Sequence, residues 1–305
     1  MQNLSDSQKI FLVFNTSYFG DVLLCDPLCR NIKAIWPDSK VIFIVNKPFY
    51  EAAKYLKDVD DVVIFDKSGE HNGLFGILKF IKNFKYKKPY CSIITYRNLR
   101  NCLIAKFLGS INILEGIKSN EQIPTWKKHV NLLKSLTDME TKDFPMIYNS
   151  DNSAGCNLLP PGEEFITLCT TTKNSLKDIP LNTCIELINK INESGYKAVL
   201  TGAGNIADEY SKKLIDAGVD FVNLTNKTTI YELSLVLKAS KALISADTGT
   251  MHLGCACGVP TAVVFYESAK IANWAPSPEI YNCIIISDNQ TGENIWEQTR
   301  SLISG

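Results

Sequence analysis

The chain has 305 residues, more than one ordinary core accommodates, so two domains of roughly 150 residues each are expected. Its 32 Lys and Arg balance 32 Asp and Glu, which argues against nucleic acid as the main partner, because binding a phosphate backbone needs a clear cationic excess. No apolar run approaches the roughly 20 residues of a membrane-spanning helix, and the N-terminus lacks a secretory signal pattern, so the expected location is cytoplasmic.

Strands are expected at residues 11–16, 40–46, 61–66, 91–96 and 111–116, with helices near 22–36, 49–56, 74–84, 102–108 and 127–137. Strands alternating with helices of this length imply a parallel sheet covered on both faces. Between the first strand and its helix, Gly20 suits unusual backbone angles or close ligand approach. Asp21 follows at the strand mouth, where a carboxylate can serve as general base or as an ordinary helix cap. Residues 78–90 interleave Lys79, Lys82, Lys85, Lys87 and Lys88 with Phe80, Phe84, Tyr86 and Tyr90. That pattern fits either an anionic membrane surface or a solvated helix face with its rings turned inward.

Residues 149–163 are rich in Asn, Ser, Gly and Pro without periodicity, and form the expected linker between domains 1–150 and 151–305. Strands then recur at 165–170, 197–201, 221–224, 242–246, 261–265 and 283–287, with helices near 182–193, 207–217, 230–239 and 293–303. The last helix is a candidate to pack back on the first domain. Thr170, Thr171 and Thr172 end a strand ahead of Lys173 and Lys177, a set suited either to phosphate or to a threonine-rich turn with solvated lysines. Glu209, after a Gly-rich turn, is either a ribose ligand or part of a charged helix face.

The most informative stretch is SADTGTMHLGCACGVPTAVVFYES, residues 245–268. A strand ends at Asp247, a Thr248-Gly249-Thr250 turn opens a small-residue helix, and a second strand follows, giving a parallel βαβ step. Hydroxyls and helix N-terminal amides at such a turn can hold an anion such as a diphosphate. His252 reads as support for this turn, its ring held by backbone or a carboxylate. The 10 Cys show no CxxC pair and no metal-ligand spacing, so reduced buried thiols and no metal are expected. Neither a Walker A loop nor a dinucleotide fingerprint is present.

Three segments together resemble the ADP-heptose:lipopolysaccharide heptosyltransferase family: SYFGDVLLCDPLCRNIKAIWPDSKVIFIV, ITYRNLRNCLIAKFLGSINILEGI and ISADTGTMHLGCACGVPTAVVFY. The resemblance covers nearly the whole chain. The sequence departs from the family pattern in GCACG, which replaces an alanine-rich helix, and in the missing aromatic before Pro180. It implies an α/β fold of two Rossmann-like doubly wound domains facing a cleft (GT-B), and an inverting, metal-independent glycosyltransferase. By resemblance, Asp21 is the base, and Thr171, Thr172, Lys177, Asp247, Thr248, Gly249 and Thr250 hold the donor diphosphate and sugar. Glu209, Thr229 and Ile230 would line the nucleoside pocket, and Arg97 and Arg100 are acceptor candidates. The donor implied is ADP-heptose, used as substrate with no cofactor. The acceptor is lipid-linked or another surface glycan, with contact at the inner membrane face. A nucleotide-sugar epimerase and a non-catalytic nucleotide-sugar-binding protein are the alternatives.

Overall fold

The computed structural model describes residues 8–116, 121–151, 157–266, 271–287 and 290–304. The chain divides into two compact units, Met1–Met146 and Ile147–Gly305. The division falls four residues before the expected position 150. Hydrogen bonds explain the shift. Arg30 Nη1 holds Pro145 O at 2.6 Å in the first unit, whereas Tyr148 N–H donates to Ala256 O and Lys238 Nζ to Ser150 O in the second. Part of the expected linker, residues 152–156, lies outside the described residues.

The first unit contains β1 (Ile10–Asn15), α1 (Phe19–Leu23), α2 (Asp26–Ile35), β2 (Lys40–Val45), α3 (Tyr50–Lys54), β3 (Asp61–Ile64), α4 (Gly73–Asn83), β4 (Cys91–Ile94), α5 (Leu99–Phe107), β5 (Asn112–Glu115) and α6 (Thr125–Asn131). Its strands run parallel in the order β3-β2-β1-β4-β5. Phe11 to Phe14 and Val41 to Val45 are buried on both faces, the pattern of a parallel sheet covered by helices. The single helix expected over residues 22–36 is two helices. Proline at position 27 lacks an N–H and its ring would clash with the carbonyl four residues back, at Leu23, where α1 ends.

In the second unit are β6 (Phe165–Cys169), α7 (Leu181–Glu193), β7 (Lys197–Thr201), α8 (Asn205–Asp216), β8 (Val222–Asn223), α9 (Ile230–Ala239), β9 (Ala242–Ala246), α10 (Gly249–Ala256), β10 (Thr261–Val264), α11 (Ile271–Trp274), β11 (Cys283–Ile286) and α12 (Gly292–Ser304). The strands are again parallel, in the order β11-β10-β9-β6-β7-β8. The closing helix α12 lays Ile295 and Trp296 into the core of this unit, where they join Leu187 and Ile188 of α7. The apolar stripe of α12 thus packs within the core of the second unit.

Both sheets reverse direction once. In the first unit the chain builds β1, β2 and β3 to one side, then sets β4 against the other side of β1. In the second, β6, β7 and β8 run one way and β9 pairs on the far side of β6. Loops leaving the two strands at such a reversal diverge, and the gap at their carboxyl ends is where open α/β sheets bind ligands.

Candidate functional site

In the first unit the reversal point is occupied by Asp21. It is the third residue of α1, directly after β1, and both its carboxylate oxygens are held. Tyr18 N–H donates to Oδ2 at 3.2 Å, and Tyr96 Oη donates to Oδ1 at 2.8 Å. Tyr96 follows β4, so the two strands flanking the reversal each supply one member of the pair. Asp21 is not the N-cap, which is Tyr18; from inside the first turn it reaches back with one oxygen to the Tyr18 N–H, and this leaves the other for Tyr96. Burial raises the Asp21 carboxyl above its ordinary range, opposed by the hydrogen bonds from Tyr96 and Tyr18.

The support beneath this pair is buried. Asn15 Nδ2 donates to Asp21 O at 3.0 Å, and the His129 ring meets Tyr96 edge-on with centroids 5.5 Å apart. Burial pushes His129 down to about 4, so it is neutral at pH 7. Gly20, expected to need unusual backbone angles, does not: it lies inside α1 and is absent from the positive-φ glycines. Its lack of a side chain at the loop mouth is what remains of that expectation. Arg100 is half-buried, stacks on Phe65 at 4.8 Å and donates to Thr16 Oγ1 at 3.0 Å. Arg97 instead points to the surface, where it pairs with Glu115 at 2.8 Å.

In the second unit, the loop after β6 meets the loop after β9. Lys177 Nζ lies 2.6 Å from Asp247 Oδ2, with side chains 27% and 9% exposed. The β6 loop is closed on itself, since Ile179 N–H donates to Thr170 O at 2.9 Å and Thr172 N–H to Asp178 Oδ1 at 2.5 Å. The Thr172 hydroxyl is engaged with Asn174 O at 2.6 Å, and Thr171 Oγ1 would sit 3.5 Å from a Cβ placed on Gly202. Gly202 and Gly204 carry φ of 158° and 91°, and a Cβ on Gly202 would come within 2.8 Å of Ala207 Cβ, so the turn packs closely on the start of α8.

Thr248 is the N-cap of α10, its hydroxyl accepting from Thr250 N–H at 3.2 Å, and Ser245 Oγ lies 3.1 Å from it. Cys169 Sγ donates to Thr250 Oγ1 at 3.4 Å. These contacts aim the first amides of α10, beginning at Gly249, out of the strand end. The run of small residues has a packing cause: a Cβ on Gly254 would come within 2.5 Å of Leu243 Cδ2 and 2.9 Å of Thr261 Oγ1. Helix α10 therefore lies tightly on β9 and β10. His252 is buried in it, with Nδ1 unpaired among the described residues and its ring held neutral by burial, down to about 4. Among the described residues, the expected backbone or carboxylate partner is absent at that nitrogen.

The structure thus unites Lys177 with Asp247, and Thr248 with Thr250, but leaves other candidates apart. Glu209 is exposed on α8, beside an Asp208–Lys212 ion pair of 2.8 Å. Thr229 caps α9, with its hydroxyl accepting from Glu232 N–H at 3.2 Å and its own N–H donating to Glu232 Oε2 at 2.8 Å. Ile230 is the first residue of α9. Sequence reasoning passed over Tyr96, Cys169 and Ser245, whose relevance depends on which strands are neighbours. Among the described residues, no group of three His, Cys, Asp or Glu side chains is arranged for a metal ion.

The model of glycosyltransferase family 9 (heptosyltransferase) matches residues 108–301, more than half of the chain. Lipopolysaccharide heptosyltransferase 3 of Escherichia coli (strain K12) is 21% identical over 301 residues, which span 86% of this chain and 83% of that protein. A glycosyl transferase family 9 structure from Veillonella parvula superposes with a TM-score of 0.85 at 16% identity, covering 99% of each chain. The E. coli heptosyltransferase WaaC with ADP superposes with a TM-score of 0.78 at 17% identity, covering 96% of this chain and 99% of that one. Those two structures share the α/β two-domain fold, with parallel sheets and flanking helices in both domains. From the extent of the family match, this chain belongs to glycosyltransferase family 9, the heptosyltransferases.

Proposed function

We propose that this chain is an inverting transferase that moves a heptose from ADP-heptose to a sugar hydroxyl of the lipopolysaccharide core. The second unit binds the donor and the first the acceptor. Family membership and the E. coli relative support transfer over epimerisation. The observation that carries the reading is Asp21, a carboxylate fixed through both oxygens at the carboxyl end of β1.

Asp21 takes the proton of the acceptor hydroxyl as its oxygen attacks the anomeric carbon, and the bond from that carbon to the diphosphate breaks on the opposite face. Negative charge then grows on the departing ADP. Lys177, Thr171 and the first amides of α10 meet it with positive charge and donors already oriented. Asp247, neutralised by Lys177, is left to accept hydroxyls of the donor sugar. Thr172 and Thr248 act mainly by holding their loops, since their hydroxyls are engaged locally. Glu209 takes the ribose hydroxyls, and Arg100 faces the acceptor. The acceptor is lipid-linked and presented at the inner membrane face. Among the described residues, no helix is long and apolar enough to cross a membrane.

Replacing Asp21 with Asn tests the mechanism. Transfer should fall by about 10²–10⁴-fold, the usual contribution of a positioned base. ADP affinity, measured calorimetrically, should stay at the wild-type value. Unchanged transfer would remove Asp21 from the reaction.

A further inference from the structure

We infer that the outward face of α4 and α5 docks on an anionic lipid surface. This deepens the membrane contact proposed above: it keeps the exposed lysines of the 78–90 stretch and replaces that stretch's rings with other apolar side chains of the two helices. The rings of that stretch face inward: Phe80 and Phe84 are buried in one cluster with Ile104 of α5, Leu108 just beyond that helix, and residues of β1, β2 and β4. The shared cluster places α4 and α5 side by side on one face of the sheet, where they pack on each other.

With those residues turned in, helical periodicity decides what points out. On α4 these are Leu74, Phe75 and Leu78, and on α5 Leu99, Leu103 and Phe107, all exposed. Phe75 is 87% exposed and Phe107 66%, although folding could bury either on an inner face. Two parallel helices presenting apolar stripes to solvent form the kind of surface that marks an interaction site.

Charge chooses the occupant. Residues 71–114 contain eight Lys and Arg and no Asp or Glu, in a chain whose totals balance at 32 each. Lys79, Lys85 and Arg97 reach carboxylates from outside that segment, namely Glu70, Asp61 and Glu115. Lys82, Lys87, Lys88 and Lys106 are exposed and make no ion pair among the described residues. Lys82 follows Leu78 by one turn and Lys106 adjoins Phe107, so both lie along the apolar stripes. A protein groove would call for matched acidic residues in fixed places. An anionic bilayer offers both apolar depth and diffuse negative charge, and that is what this face presents in reverse.

The test is flotation of the full chain with phosphatidylcholine vesicles, with and without phosphatidylglycerol. Binding is expected only with the anionic lipid and should weaken as salt is raised. Phe75→Ser with Phe107→Ser, and separately Lys82→Glu with Lys106→Glu, should each reduce vesicle partition by about tenfold or more. These positions are exposed, so the melting temperature should not move. Transfer to a delipidated acceptor should be at wild-type level in both variants, which separates failure of this inference from failure of the proposed reaction. Absence of wild-type flotation, or variants that float as well as wild type, would overturn it. So would self-association abolished by the Phe variants without any vesicle binding, which assigns the face to a second copy of the chain.

Discussion

Asp21 and Tyr96 are 75 residues apart in sequence, yet their side chains are 2.8 Å apart. Tyr96 acts as a positioning residue: it fixes one oxygen of the carboxylate and stabilises its charged form, against the burial that raises its pKa. Tyr96→Phe removes that stabilisation, so the Asp21 carboxyl rises further and is protonated over more of the acid range. The acidic limb of the kcat/KM profile should therefore move to higher pH, while ADP affinity holds. A profile that keeps its wild-type position would show that the phenol does not bear on the base. The spacing of the sequence places Asp21 at a strand mouth without difficulty. Tyr96 cannot be found the same way, because its role exists only once β4 lies against β1.

At the level of single elements, loop ends and caps explain where helices begin. Thr229 and Glu232 satisfy each other's N–H groups at the start of α9. This accounts for a threonine that the family resemblance alone places near the nucleoside. Thr229→Ala should lower stability by about 1 kcal/mol in denaturant unfolding, the usual loss of such a cap, with ADP affinity unchanged. A drop in affinity with stability preserved would return Thr229 to the nucleoside site. The proline that divides α1 from α2 was present in the sequence, but an apolar period running across it masked the break. The tightness of α10 against its sheet was likewise hidden: small residues in a row permit close packing, and only the neighbours Leu243 and Thr261 show that Gly254 requires it.

At the scale of the molecule, ligand binding should appear as stability. A nucleotide that binds only the folded chain contributes about 2.7 kcal/mol at one hundred times its dissociation constant. In a thermal-shift series of ADP, UDP, GDP and CMP, selective stabilisation by ADP is expected. Lys177→Ala should shrink it strongly, because the mostly buried Asp247 carboxylate then faces the diphosphate uncompensated. Adding Asp247→Asn should restore part of the shift. Equal stabilisation of Lys177→Ala by ADP would show that the lysine serves only its carboxylate partner.

The alternation of strands and helices, the two-part division and the β9–α10–β10 step were set by the sequence alone, because hydrophobic period and turn chemistry are local properties. The short range of those signals also placed Asp21, Lys177 and Asp247 at strand ends. Strand order is different, since it is fixed by how whole faces pack. Only the tertiary structure could therefore show that both sheets reverse beside β1 and β6, that Lys177 closes on Asp247, and that the rings of α4 turn inward while Phe75 and Phe107 face out.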